Sequence, residues 1–197
     1  MQTLSLNVNM SGKTAAVIGG GAVALRKVRS LLAAGATVRV VAPMICPELA
    51  TLTDSATVLF RRGSYRAADL DLTFLAVAAT DNEDVNGRVA ADAAARGILV
   101  SVIDNPESGD CIFPAAVRRG DLEIAISTGG RCPALAAEVK RVIEDVIGDE
   151  YADILEQLAC EREKLLTDGN ASTYNATVLR THARRMIADL ADRKEPT

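Results

Sequence analysis

The stretch Lys13-Thr14-Ala15-Ala16-Val17-Ile18-Gly19-Gly20-Gly21-Ala22-Val23-Ala24 decides the fold. Up to Ile18 it is short and apolar, as a strand buried on both faces requires. Three glycines follow, and from Ala22 the period changes. Val23, Leu25, Val28, Leu31 and Leu32 recur at helical spacing until Gly35. Ala36 to Val41 then reads as a second strand, ending at Pro43. Strand, glycine turn, helix and strand within roughly thirty residues make a βαβ unit. The spacing Gly19-x-Gly21-x-x-Ala24 has a physical purpose in that setting. The first glycine makes the turn tight, the second lets a pyrophosphate approach the backbone, and the small third residue lets helix and strand pack closely. The unpaired N–H groups and the dipole of the helix start hold the anion. Gly19, Gly20, Gly21, Ala22 and Val23 are the expected phosphate-binding residues, with Arg26 and Lys27 adding positive charge one turn on.

The alternation continues outward from this unit. Glu48 to Thr53 reads as a short helix, Ala56 to Phe60 as a third strand and Leu72 to Ala78 as a fourth. Asn82 to Arg96 is helical, with Val85, Val89 and Ala93 on one face, and Ile98 to Ile103 is a fifth strand. The expected fold class is therefore α/β, a Rossmann-like doubly wound parallel sheet. Ala42 and Pro43 stand at the end of the second strand, where an acid normally takes the ribose hydroxyls. The usual device for repelling the extra phosphate of NADP is thus missing, and the sequence leaves NAD against NADP open. Thr80, in Ala78-Ala79-Thr80-Asp81, ends the fourth strand among small residues that let a nicotinamide ribose approach. The same residues also suit an ordinary strand-to-helix turn.

After Pro114 the character changes. Leu122 to Ser127 alternates as a strand, following a turn at Gly120-Asp121. Pro133 fits the first position of a helix whose stripe is Leu135, Val139, Val142, Ile143 and Val146, and Gly148 stops it. From Asp149 onward the patterns are helical, broken near Asp168-Gly169-Asn170. The composition excludes several classes. Of 197 residues 49% are hydrophobic, enough for an aliphatic core. A net charge of -4 argues against a nucleic-acid partner. No apolar run reaches the roughly 18 residues of a membrane span, so no membrane partner is expected. Met1 to Gly12 lacks the basic start and apolar stretch of a secretory signal. The 4 cysteines lie far apart without a C-x-x-C, as reduced thiols in a cytoplasmic protein do.

Five segments together resemble the precorrin-2 dehydrogenase / sirohydrochlorin ferrochelatase family, including the N-terminal module of the sirohaem synthases. They are Val17 to Gly21 with Arg26-Lys27; Ala78-Ala79-Thr80-Asp81 with Val85-Asn86; Val102-Ile103-Asp104-Asn105-Pro106; Phe113-Pro114-Ala115; and Ile126-Ser127-Thr128-Gly129-Gly130-Arg131-Cys132-Pro133-Ala134-Leu135-Ala136. The last two are specific, because dinucleotide-binding folds in general do not carry them. The resemblance implies an NAD-binding domain over 1–113, a dimerisation segment over 114–148 and a helical domain over 149–197. It also implies a homodimer that oxidises precorrin-2 to sirohydrochlorin with NAD, some members of the family inserting iron as well.

By the same resemblance Asp104 is the functional aspartate, as general base or, where chelation occurs, as the group that handles the metal. Read alone, Asp104-Asn105-Pro106 is equally good turn chemistry. Ser127, Thr128, Gly129, Gly130 and Arg131 match the family loop, and their hydroxyls, N–H groups and guanidinium suit a polycarboxylate. The same residues also suit a plain entry into the following helix. Arg61-Arg62 and Arg118-Arg119 are further candidates for a basic surface, and His182 is the only histidine. Two rival readings keep the cofactor and change the rest: a nucleotide-sensing module without turnover, and an oxidoreductase acting on another small substrate.

Overall fold

A computed structural model describes residues 2–167 and 173–194. The chain divides into two compact units, one of residues up to Phe113 with Gly129–Arg131, the other of Pro114–Thr128 and the residues from Cys132 on.

The first unit alternates strand and helix: β1 (Thr14–Ile18), α1 (Ala22–Ala33), β2 (Thr37–Ala42), α2 (Pro47–Ala50), β3 (Val58–Arg62), β4 (Leu75–Ala78), α3 (Glu83–Ala95) and β5 (Leu99–Val102). The five strands form one sheet in the order β3-β2-β1-β4-β5, and every pairing is parallel. The chain lays down β1, β2 and β3 in one direction, then returns to place β4 on the other side of β1. The strand order therefore reverses between β1 and β4, where open α/β sheets bind their ligands at the carboxyl edge. The pleat sorts the core. Ala15, Val17, Val38, Val40 and Val77 pack with Ala24, Val28 and Leu31 of α1. Their neighbours Ala16, Ile18, Val41, Ala76 and Val100 pack on the opposite face with Val89 and Ala93 of α3.

Three elements differ from the sequence reading by more than a single residue at an end. The third strand runs Val58–Arg62, two residues later than expected. The expected helix over Glu48 to Thr53 is α2 followed by a 3-10 turn at Thr51–Asp54. The fourth strand begins at Leu75, and Leu72 lies outside it, 94% exposed and in the left-handed region at φ 58. The cause is a turn fixed from β2: an Arg39 Nη donates to the carbonyls of Asp69 at 2.7 Å and Asp71 at 2.9 Å.

The second unit opens with an antiparallel hairpin of β6 (Ala115–Arg119) and β7 (Leu122–Ile126), turning at Gly120-Asp121. Of the pair, only β7 is expected from the sequence. Helices α4 (Pro133–Val146), α5 (Glu150–Thr167) and α6 (Thr173–Lys194) follow. Arg119 ties hairpin to helix, donating to the Ile147 carbonyl at 2.8 Å and the Glu144 carbonyl at 3.3 Å, which satisfies carbonyls left open at the end of α4. His182 on α6 sits 2.7 Å from Glu161 on α5. The break expected near Asp168-Gly169-Asn170 lies outside the described residues. On α4, Leu135, Val139, Val142 and Val146 are exposed in the single chain, and Ala136 is the buried residue. Among the described residues no helix is long and apolar enough to cross a membrane.

Candidate active site

The carboxyl ends of β1, β4 and β5 are laced together by backbone bonds. The Ala79 N–H donates to Ile18 O at 2.8 Å, and the Ile103 N–H to Ala78 O at 3.1 Å. At the end of β1, Gly19 takes φ 134, and a Cβ there would overlap the Ala79 carbonyl. A Cβ on Gly20 would overlap the Met44 carbonyl, beside a Cys46 N–H that donates to Gly20 O at 2.8 Å. These two glycines are required by the protein's own backbone. Gly21 differs: a Cβ built there meets nothing within 4 Å. It is the N-cap of α1, no side chain caps that helix, and its first turn holds no acid. The open space and the uncapped N–H groups fit an incoming pyrophosphate, so the residues present fit a dinucleotide. Ala24, fully buried, provides the close helix-to-strand packing.

Ala42 lies beside this turn, its Cβ 3.0 Å from where a Cβ on Gly20 would stand, and Pro43 beyond it is exposed. Lys27, expected to add charge near the turn, is turned toward Phe113. Its ammonium lies 4.3 Å from the centre of the Phe113 ring, and burial, then the neighbouring Arg26 charge, lower its pKa.

On the other side of β1, Thr80 follows β4 and is held at every polar atom. Its N–H and hydroxyl donate to Asn86 Oδ1 at 3.2 and 2.7 Å, and its carbonyl accepts from Asn86 Nδ2 at 3.1 Å. Asn82 caps α3, its Oδ1 accepting from the Val85 N–H at 3.0 Å. Asp104, exposed just past β5, lines a cavity of about 230 Å³ together with Glu83, Asn86, Gly87, Val102, Asn105 and Ser108. Beyond it the chain turns at Asn105-Pro106, where the Ser108 N–H donates to Asn105 O at 3.0 Å.

The loop from Ser127 to Arg131 is divided. Gly129–Arg131 group with the first unit, where a Cβ on Gly130 would stand 3.3 Å from Pro106 Cβ. In the second unit the Thr128 hydroxyl accepts from the Cys132 N–H at 3.2 Å, so it stabilises the entry to α4. Of the arginine pairs, Arg61 and Arg119 are tied into the fold, while Arg118 makes an exposed pair. Arg61 forms an ion pair with buried Asp69, Arg118 lies 2.8 Å from Glu123, and Arg119 clamps the end of α4. A buried carboxylate such as Asp69 needs a charged partner, which removes Arg61 from any substrate surface. Arg62, Arg118 and Arg131 remain exposed. Sequence reasoning missed the part that Asn86 plays; the usable signal was a polar residue one turn after a helix cap, on the face that Val89 and Ala93 bury.

Comparison with known proteins matches this geometry. A family model described as "Putative NAD(P)-binding" matches residues 6–115, and a second, "Sirohaem biosynthesis protein central", matches residues 119–145. The siroheme synthase of Chromobacterium violaceum is 49% identical over 135 residues, 68% of this chain and 29% of that protein. The siroheme synthase of Ectopseudomonas mendocina is 44% identical over 154 residues, 78% of this chain and 33% of that protein. The chain thus spans about a third of the length of the curated relatives it matches. Among solved structures, SirC, a precorrin-2 dehydrogenase, superposes with a TM-score of 0.70 at 25% identity, covering 95% of this chain and 100% of that one. With the glycine turn inside the first match, which takes in more than half of the chain, the chain belongs to the putative NAD(P)-binding family, and β7 with most of α4 falls inside the sirohaem biosynthesis match.

Proposed function

We propose that this protein oxidises precorrin-2 to sirohydrochlorin with NAD. The observation that carries the reading is the placing of Asp104 in a cavity on the same carboxyl edge as the glycine turn, reached across β4 and the Thr80 loop. A cofactor site and a proton acceptor then flank one crevice, as removal of a hydride and a proton requires. The likeness to SirC and to the siroheme synthases supports the choice of substrate.

NAD, when bound, supplies the hydride acceptor. The chain's own residues do the remainder. The N–H groups at Gly21, Ala22 and Val23 hold the pyrophosphate, Ala42 and Pro43 border the adenosine ribose, and Thr80 borders the nicotinamide ribose. Asp104 takes the proton as the substrate C–H bond gives up its electron pair. A cavity of about 230 Å³ receives one edge of the macrocycle and leaves the rest on the open surface. We propose Ser127, Thr128, Gly129, Gly130 and Arg131 as donors to the substrate carboxylates, on the chemistry of their groups alone.

The second unit supports a homodimer. The apolar side chains of Leu135, Val139, Val142 and Val146 repeat along one side of α4 and are exposed in the single chain. A two-stranded hairpin is marginal by itself, and a second copy packed on this face would bury both. We also assign the protein to the cytoplasm, in keeping with its free cysteines.

Anaerobic mixing of the protein with enzymatically made precorrin-2 tests the activity. The visible spectrum of sirohydrochlorin is expected to grow only when NAD is present. Cofactor binding with no spectral change would favour the nucleotide-sensing reading instead.

A further inference from the structure

Between the cofactor crevice and the Asp104 cavity stands a polar side chain to which neither the glycine turn nor the proposed base assigns a task. Asn86 lies in the first turns of α3 and is 1% exposed. The start of that helix does not need it, because Asn82 already caps the Val85 N–H. Its amide is directed at one residue. Oδ1 accepts from the Thr80 N–H and hydroxyl, and Nδ2 donates to the Thr80 carbonyl, at 3.2, 2.7 and 3.1 Å. The same side chain lines the cavity that holds Asp104.

The location gives this arrangement its meaning. Thr80 sits where the strand order reverses, on the β4 side of the glycine turn. The adenosine ribose of a dinucleotide belongs at the end of β2, so the nicotinamide half lies toward β4 and β5. We propose that Asn86 is a positioning residue for the nicotinamide half of NAD. It holds the Thr80 backbone and hydroxyl in one arrangement before the cofactor arrives, so that the ring stands at a set distance from the Asp104 cavity. Groups fixed in advance lose less freedom on binding, and a reacting centre misplaced by about an ångström loses much of its rate. The proposal rests on the dinucleotide reading of the site but does not require precorrin-2 to be the substrate.

Binding of fragments separates positioning from simple stability. The affinities of wild type, Asn86→Ala and Asn86→Asp for NAD and for ADP are measured on chains that keep a cooperative thermal transition. Asn86→Ala is expected to weaken NAD roughly tenfold, the worth of one to two hydrogen bonds, and to leave ADP within about twofold. Asn86→Asp keeps the size and gives up the donor to the Thr80 carbonyl. It is expected to show the same split, and it carries the test where alanine fails to fold. The fluorescence of bound NADH, which reports the surroundings of the nicotinamide, is expected to shift in both variants. Equal weakening of ADP and NAD, or unchanged NAD affinity in a folded variant, would overturn the proposal. Failure of wild type to bind either ligand would count against the dinucleotide reading on which it rests.

Discussion

Asp104 and Ala42 are the single residues on which the proposed chemistry rests. Asp104 was legible as a position, because the family segment around it marks the end of β5. Its cavity was not, since Glu83 and Gly87 reach it from α3 and Ser108 from the turn after β5. Replacement by alanine removes the proposed proton acceptor without touching the core, the residue being exposed. Asp104→Ala is expected to keep its thermal transition and its NAD affinity while turnover falls roughly 100-fold or more, measured as the initial rate of sirohydrochlorin formation. An unchanged rate would remove Asp104 from the mechanism. In the proposed site Ala42 stands beside the adenosine ribose, so no acid would repel the 2′-phosphate of NADP there. Ala42→Asp is expected to lower NADP affinity by roughly tenfold or more relative to NAD, because like charges side by side are costly. Titration of both cofactors against the purified variant checks this.

The regular elements of the first unit were legible because their physics is local. The short apolar runs of β1 and β2, the helical period of α1 and the glycines between them all agree with the sheet they enter. What failed was set by tertiary contact. Leu72 is apolar and reads as strand, but Arg39 holds the preceding turn so that Leu72 points outward. The strand β6 was missed because only Val117 within it is fully buried, which leaves no alternation to read. Arg61 read as a solvent-facing charge because its partner Asp69 lies in a different element. Asn86 likewise showed its sequence position and hid its task until the Thr80 loop was placed against it. The turn itself gives a direct prediction. Gly20→Ala sets a methyl group against the Met44 carbonyl, so the loop after β2 must shift. The variant is expected to lose about 1–3 kcal/mol of stability in urea unfolding and to bind NAD more weakly. Gly21→Ala meets no protein atom and is expected to lose NAD affinity at nearly wild-type stability.

At the scale of the whole molecule, the apolar side of α4 was visible as a stripe from Leu135 to Val146. Its destination was not, because a buried stripe and an interface stripe have the same period. The structure leaves Val142 63% and Val146 62% exposed in the single chain, on the face where a second copy is proposed to pack. Val142→Glu places a charge in that face. It is expected to weaken dimerisation roughly 100-fold or more, read by sedimentation equilibrium, while the separate fold of the first unit keeps its NAD affinity. The most direct measurement of the proposed oxidation is a hydride balance. Under anaerobic conditions, NADH and sirohydrochlorin are followed together after NAD is added to the protein with precorrin-2. The account predicts that the two rise in step, one NADH for each sirohydrochlorin, at a rate proportional to protein concentration. NAD that binds without forming NADH, or sirohydrochlorin that appears equally fast without NAD, would contradict it.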